Sequence, residues 1–325
     1  MILIDKPNSN PWFNVAAEEY IVKHVQDEIF MVWKNPDCIV IGKHQNAIAE
    51  INPDFVQRHN LPVIRRISGG GTVFHGSGNI NYSFITNTKN DPNKINFRKY
   101  TQPIIDYLLL LGVEASFTGK SNLTINGSKF SGNAAHLFKN RILHHGTLLF
   151  DADLEKIRNA IAVRPDAYYS KAIVSNRSEV CNIRPFLAHD MTLDDFEDGF
   201  RQYVKKYFTI EQSRDLSAEE MDAISILARD KYQTWHWNFG YSPDYDLKRK
   251  LTIDGLQADI FVHVSKGFIV EVHSTMKENI LLDQLVLTLH GAMHQKQNIF
   301  NALSSNPLLM KLNTETRNQI ANQLL

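Results

Sequence analysis

Residues 65–84 read RRISGGGTVFHGSGNINYSF, and the three consecutive glycines set between two apolar runs constrain this chain more than any other feature. Leu61, Val63 and Ile64 before them, and Ile80, Tyr82, Phe84 and Ile85 after them, have the pattern of strands. Glycine has no side chain, so such a run lets the main chain approach a ligand closely and turn its N–H groups toward it. With Arg65 and Arg66 at its head, the turn has the makings of an anion cradle. A tight hairpin is the plainer alternative. The arginines, with His75 and Asn79 downstream, favour a nucleotide or phosphate site. It is not a P-loop: the one GKS, Gly119-Lys120-Ser121, has Glu114 where the first P-loop glycine belongs. The dinucleotide spacing fails as well, because Gly76-x-Gly78 is followed by Asn81.

A second constellation lies in GSKFSGNAAH and LHHGTLLF, which contain Lys129, Ser131, Gly132, Asn133, His144 and His145. Asn126-Gly127 supplies two turn positions of positive φ between Leu123-Thr124-Ile125 and Ser128-Lys129-Phe130-Ser131, which is the signature of a hairpin. Alternation puts Lys129 and Ser131 on one face and Phe130 on the other. A lysine amid a strand is costly to bury unless an anion partners it; an exposed lysine on an edge strand is the plainer reading. His144 and His145 point to opposite faces, and His145 is the one expected to line a site.

Taken together, RRISGGGTVFH, GKSNLTINGSKFSGNA and LHHGTLLFDADL resemble the lipoate–protein ligase A family. FNVAAEEYIV, IGKHQNAIAEIN, SNRSEVCNIRPFL and TWHWNFGYSP keep the family order, so the resemblance covers roughly residues 10–245. It implies an adenylate-forming acid–amide ligase. ATP and lipoate give lipoyl-AMP and pyrophosphate, and the lipoyl group then passes to a lysine of an acceptor domain. The acceptors it implies are 2-oxoacid dehydrogenase E2 subunits and the glycine-cleavage H protein. Carboxylate and α-phosphate are both anionic, so bringing them together requires fixed positive charge and N–H donors. By resemblance Lys129 is the catalytic lysine touching carboxylate and nucleotide. Arg66, Ser68, Gly69, Gly70, Gly71, Thr72, Val73, Phe74, Asn79 and Asn122 join it around ATP. Arg66, Gly71, His75 and His145 join it around lipoate. Mg2+ is expected on the phosphates, held by substrate oxygens and water rather than by a dedicated metal site. Many relatives have an acidic residue where Asn122 stands, and some an arginine where His136 stands. An apolar, narrow lipoate pocket is expected to draw on Trp33, Val40, Ile41, Ile67 and Val73.

The implied fold is α+β: a mixed, mostly antiparallel sheet with flanking helices, like the catalytic domain of biotin and lipoyl ligases, over residues 1–245. A small α+β accessory domain is expected over 246–325. Local pattern agrees. Asn10-Pro11 opens a helix with Phe13, Ala16, Ala17, Tyr20 and Ile21 at helical spacing. Phe97 to Leu111 reads as another helix, and further helices are expected near 153–162, 192–207 and 217–232. Residues 250–273 read as a three-stranded meander turning at Asp254-Gly255, followed by helices near 278–289, 296–304 and 314–325.

Composition is permissive. The 325 residues carry equal numbers of basic and acidic side chains, which gives no support for nucleic-acid binding. Cys38 and Cys181 are too few for a disulfide framework. No signal peptide is expected, because MILIDKPNSNPWF carries Asp5 and lacks a long apolar run. Nothing approaches the ~18 apolar residues of a membrane span. A soluble, cytoplasmic, monomeric enzyme is expected. His290 and His294 have a zinc-like i, i+4 spacing but no third ligand, and read as a surface pair. Trp235, Trp237 and Phe239 read as a core plug at a domain junction. Within the fold the rival is an octanoyl or lipoyl transferase with a cysteine nucleophile instead of ATP, yet residues 112–129 hold no cysteine. A carrier-binding module that has lost adenylation is the non-enzymatic alternative. The G-R-G-R-x-R signature of biotin ligases is absent.

Overall fold

The computed structural model describes residues 1–5, 9–88, 95–161, 168–175, 178–253, 255–276 and 278–325. The chain divides into two units. The first comprises Met1–Lys43, His59–Ile161 and Ser175–Thr234; the second comprises His44–Arg58, Ala162–Val174 and Trp235–Leu325. The last stretch of the second unit thus starts eleven residues ahead of the expected division, and the unit takes in two earlier stretches of chain as well.

An eight-stranded sheet forms the first unit, in the order Gln212–Asp215, Ile2–Asp5, Ile29–Trp33, Asn79–Asn87, Arg141–Leu149, Ser128–Phe138, Asn122–Ile125 and Ser116–Thr118. Ile2–Asp5 pairs in parallel with both its neighbours, and every other pairing is antiparallel. The central strands are covered on both faces, so all five residues of Ile29–Trp33 and all nine of Arg141–Leu149 are buried. Phe30, Phe84, Phe196 and Phe200 meet in one aromatic core beneath the sheet, fixing the helix Leu193–Tyr207 against it. The helix Pro11–His24 starts as its sequence dictates. Asn10 accepts from the backbone N–H groups of Trp12 and Phe13, and Pro11, whose missing N–H would find no partner there, takes the first position.

A separate three-stranded sheet carries the glycine run. Cys38–Ile41 lies between Val63–Arg65, parallel to it, and Val73–His75, antiparallel to it. The two strands that flank Gly69–Gly71 are therefore not neighbours. The glycines cross the end of the strand between them, and the hairpin reading is excluded. The hairpin expected at Asn126-Gly127 is present, with φ of 51° and 85° at the two turn residues. Of the expected helices, Phe97–Leu110, Leu154–Ala160, Leu193–Tyr207 and Ala218–Leu227 form.

In the second unit Tyr168–Ser170, Tyr245–Ile253, Leu256–Ser265 and Phe268–Ser274 make an antiparallel sheet in that order. The expected meander gains a fourth strand from far upstream. Asp254 lies outside the described residues; its turn partner Gly255 has φ of 84°. Alternating burial along Tyr245–Ile253 marks a sheet with one covered face. Leu247, Leu251 and Ile260 share a core with Leu285, Ile299 and Leu303 from the helices Ile280–Leu289 and Lys296–Ser305. Trp235 stacks on Phe239 and meets Phe268 edge-on.

The surface-pair reading of His290 and His294 needs correcting. The helix stops at Leu289, and His294 is fully buried, bonded to the Tyr245 hydroxyl at 2.6 Å and the Leu324 carbonyl at 2.8 Å. A carbonyl only accepts, so Nε2–H donates to Leu324 and Nδ1 accepts from the tyrosine. Burial pulls its pKa down to about 4. It is a neutral structural histidine. Among the described residues no helix is long and apolar enough to cross a membrane, and no group of three His, Cys, Asp or Glu side chains could hold a metal.

Candidate active site

The first unit holds a partly open cavity of about 240 Å³. Gly70, Gly71, Thr72 and Val73 line it from the glycine run; Lys129, Gly132, Asn133 and Ala134 line it from the hairpin strand. Trp33, Asn81, His145 and Thr147 line it from the central sheet, and Val15 and Glu18 from the first helix. Ser121, Asn122, Ser175 and Ser178 complete its polar lining.

Arg66 shapes the glycine run from within. Its guanidinium donates to the carbonyls of Val40 at 3.1 Å, Gly69 at 2.6 Å and Gly71 at 2.7 Å, and to Ser68 Oγ at 2.9 Å. With those carbonyl oxygens turned onto the arginine, the loop keeps a shape set before any ligand binds. Gly70 alone of the three glycines has a left-handed φ, 87°. The main chain at Gly71 runs close to Ser175: a methyl group there would lie 3.0 Å from Ser175 Oγ, which accepts from Thr72 N–H at 2.9 Å. Burial lowers the Arg66 pKa to about 10, and the Glu18 charge works against that shift.

Lys129 is held on both flanks by main chain. Its strand pairs with Thr124 on one side, while its N–H donates to Glu179 O at 2.8 Å and its carbonyl accepts from Cys181 N–H at 3.0 Å on the other. The edge-strand reading is thus excluded. Burial, with the Arg66 charge next, pushes its pKa below the ordinary value of 10.5. Among the described residues no carboxylate pairs with its ammonium group. A desolvated cation without a counter-ion, lining a cavity, is a site for an anion.

A chain of hydrogen bonds runs behind the cavity. Arg66 Nε donates to Ser68 Oγ, whose own O–H is left to donate to His145 Nε2 at 2.6 Å. Nδ1 must then carry the His145 proton, and it faces the Glu18 carboxylate at 2.9 Å from each oxygen. Ser83 Oγ–H also donates to Glu18 at 2.6 Å and accepts from Trp33 Nε1–H at 2.9 Å. The Glu18 carboxylate only accepts, so the proton it meets is on His145 Nδ1. His75 is held separately: Asn35 Nδ2 donates to its Nδ1 at 3.0 Å, and burial takes its pKa down to about 3.

Residues 10–205 match the family model described as the lipoyl protein ligase A/B catalytic domain. The chain is 36% identical to lipoate–protein ligase 1 of Staphylococcus aureus over 91% of both chains. The chain belongs to the lipoyl protein ligase A/B family. It is 38% identical to the lipoate–protein ligase LplJ of Bacillus subtilis over 82% of both chains. Two solved structures share its fold at 21% identity. A lipoate–protein ligase A bound with ATP has a TM-score of 0.64 over 74% of this chain and 98% of that one. Plasmodium falciparum LipL1 in complex with lipoate has 0.60 over 99% of both.

In this member of the ligase A/B family, the cavity brings together Arg66, Gly70, Gly71, Thr72, Val73, His75, Asn122, Lys129 and His145. Ser68, Gly69, Phe74 and Asn79 lie outside its lining. Ser68 reaches it through His145, Phe74 and Asn79 are buried, and Asn79 Nδ2 donates to Asn81 Oδ1 at 3.0 Å. Trp33, Val40 and Val73 line the cavity as expected of an apolar pocket, whereas Ile41 and Ile67 belong to the core. Glu18 went unnamed in the sequence reading. A glutamate among the apolar positions of FNVAAEEYIV was the available signal, since a carboxylate carried inward by a helix demands partners. Cys181 does not line the cavity, and burial raises its thiol pKa, the wrong direction for a nucleophile.

Proposed function

We propose that this chain is an ATP-dependent lipoate–protein ligase. It condenses lipoate with ATP to lipoyl-AMP, releasing pyrophosphate, and passes the lipoyl group to a lysine of an acceptor domain. The observation that carries this reading is the ammonium of Lys129, desolvated and without a carboxylate partner among the described residues, in one cavity with the arginine-braced glycine run. Two anions that repel each other in water can meet there, and the backbone N–H groups and cation gain most as charge builds on the phosphorus. The names of the relatives, lipoate–protein ligases at 36% and 38% identity, support it.

The lining fits ATP and lipoate. Small polar groups, Ser121, Asn122, Ser175 and Ser178, suit phosphate and ribose, while Val15, Trp33, Val40 and Val73 suit an alkyl chain. A magnesium ion would ride on the phosphate oxygens, held by those oxygens and water. The acceptor is a lipoyl domain of a 2-oxoacid dehydrogenase E2 subunit or the glycine-cleavage H protein, and the working compartment is the cytoplasm. A solved pairing of an archaeal ligase with its E2 lipoyl domain supports that acceptor class.

Lipoate-dependent exchange of label between pyrophosphate and ATP tests the first step. Transfer of radiolabelled lipoate to an acceptor domain tests the second. Acyl transfer without exchange would instead establish the ATP-independent transferase.

A further inference from the structure

Asn81 lines the cavity, and its Nδ2 has no hydrogen-bond partner. Of the buried side-chain nitrogens and oxygens left without a partner among the described residues, its is the one that belongs to the cavity lining. The polar groups beside it are engaged: Trp33 Nε1 with Ser83, both ring nitrogens of His145, and His75 Nδ1 with Asn35. Asn79 takes the Asn81 carbonyl oxygen, so the spare group is a donor.

Strand register places this donor relative to Lys129. Asn81 pairs with Trp33 on one side and Thr147 on the other. Gly146 pairs with Asn133, which sets Thr147 beside Gly132, and the Lys129 ammonium lies over Gly132. From the lysine to Asn81 is therefore two strand spacings, about 10 Å. With its carboxylate at Lys129, lipoate carries its dithiolane over a comparable distance, to the stretch of wall that Asn81 and Trp33 form.

We propose that Asn81 is a specificity-determining residue that favours a sulfur-bearing acyl chain over a plain alkyl chain of the same length. The inference rests on the ligase reading above. Sulfur is a soft, weak acceptor and can engage the carboxamide N–H. A hydrocarbon tail brings this already buried donor no acceptor.

The test compares lipoate and octanoate in ATP–pyrophosphate exchange. In Asn81→Leu the ratio of kcat/KM for lipoate over octanoate is expected to fall about fivefold, the lower range for an unsatisfied donor. A defect in folding alone would lower both substrates together and leave the ratio in place. Asn81→Asp keeps the shape and the bond from Asn79 while removing the donor, so it carries the test if the leucine variant does not fold; its ratio is expected to fall as well. A ratio within twofold of wild type in the variant that folds overturns this inference and leaves the ligase reading standing. A wild-type protein that shows no lipoate-dependent exchange overturns both.

Discussion

Replacing Lys129 with methionine, which keeps length and removes charge, separates the lysine's role in chemistry from any role in folding. A cation about 4 Å from an anion gains roughly 4 kcal/mol at the effective dielectric of about 20 that describes partly buried sites. Each ~1.4 kcal/mol is tenfold in rate, so losing that interaction at the proposed site of adenylation costs about 10³-fold in lipoate-dependent exchange. The fold should not suffer. In the ligand-free protein the ammonium is desolvated, feels the Arg66 charge and has no carboxylate against it among the described residues. Removing it relieves an unfavourable burial, and the melting temperature of Lys129→Met is expected to equal or exceed that of wild type. The assay is radiolabel exchange at saturating ATP, alongside thermal unfolding of the same preparation. Exchange within tenfold of wild type would refute the assignment. A melting temperature several degrees lower would show that the ammonium has a counter-ion and that the reasoning from its burial is wrong.

Gly70→Val places a β-branched residue at φ 87°, with its Cβ 3.1 Å from Arg66 Nη2, so ATP affinity measured by calorimetry should drop at least tenfold. Gly78→Ala drives a methyl group into the Asp151 carbonyl at φ 82°, and chemical denaturation should report a loss of roughly 3 kcal/mol or more. Glu18→Ala leaves the His145 Nδ1–H and the Ser83 hydroxyl unpaired; a loss of about 1–3 kcal/mol is expected, together with a raised KM for lipoate. Acid should unfold the protein early. His75, with a pKa near 3, and His144 and His294, near 4, are held neutral by burial, and the unfolded chain protonates them near 6.5. Each depressed pKa means that stability is complete above about 6.5 and falls by roughly 1.4 kcal/mol per pH unit per histidine as pH drops toward 4. Denaturant midpoints that stay level between pH 7 and 5 would contradict this.

Much of the catalytic unit is legible in the sequence because its signals are local. Asn126-Gly127 dictates its own turn, and the apolar runs on either side of the glycines each form a strand. Lys129 stands out as a lysine where a strand should bury an apolar residue. What escapes is non-local. Cys38–Ile41 inserts between the two strands flanking the glycines, and no pattern within residues 61–85 announces it. Tyr168–Ser170 joins a sheet whose other strands begin at Tyr245, a pairing fixed by packing across a long stretch of intervening chain. Glu18 and His294 are polar groups whose partners come from remote segments, Ser83 and His145 for one, Tyr245 and Leu324 for the other. Their burial is intelligible only once those partners are in place. Arg66 lines the cavity, and the structure also commits its donors to the carbonyls of Val40, Gly69 and Gly71.

That commitment bears on how the enzyme would tolerate change. A guanidinium reaches three carbonyls and a hydroxyl at once because its planar fork points several N–H groups in different directions, and a lysine at position 66 would offer one mobile amine. The charge would survive that exchange, yet the crossing would slacken, and each binding event would have to freeze the glycines anew. Ordering of the crossing is instead completed during folding, so on the proposed reading an arriving nucleotide would meet a receptor that has already settled.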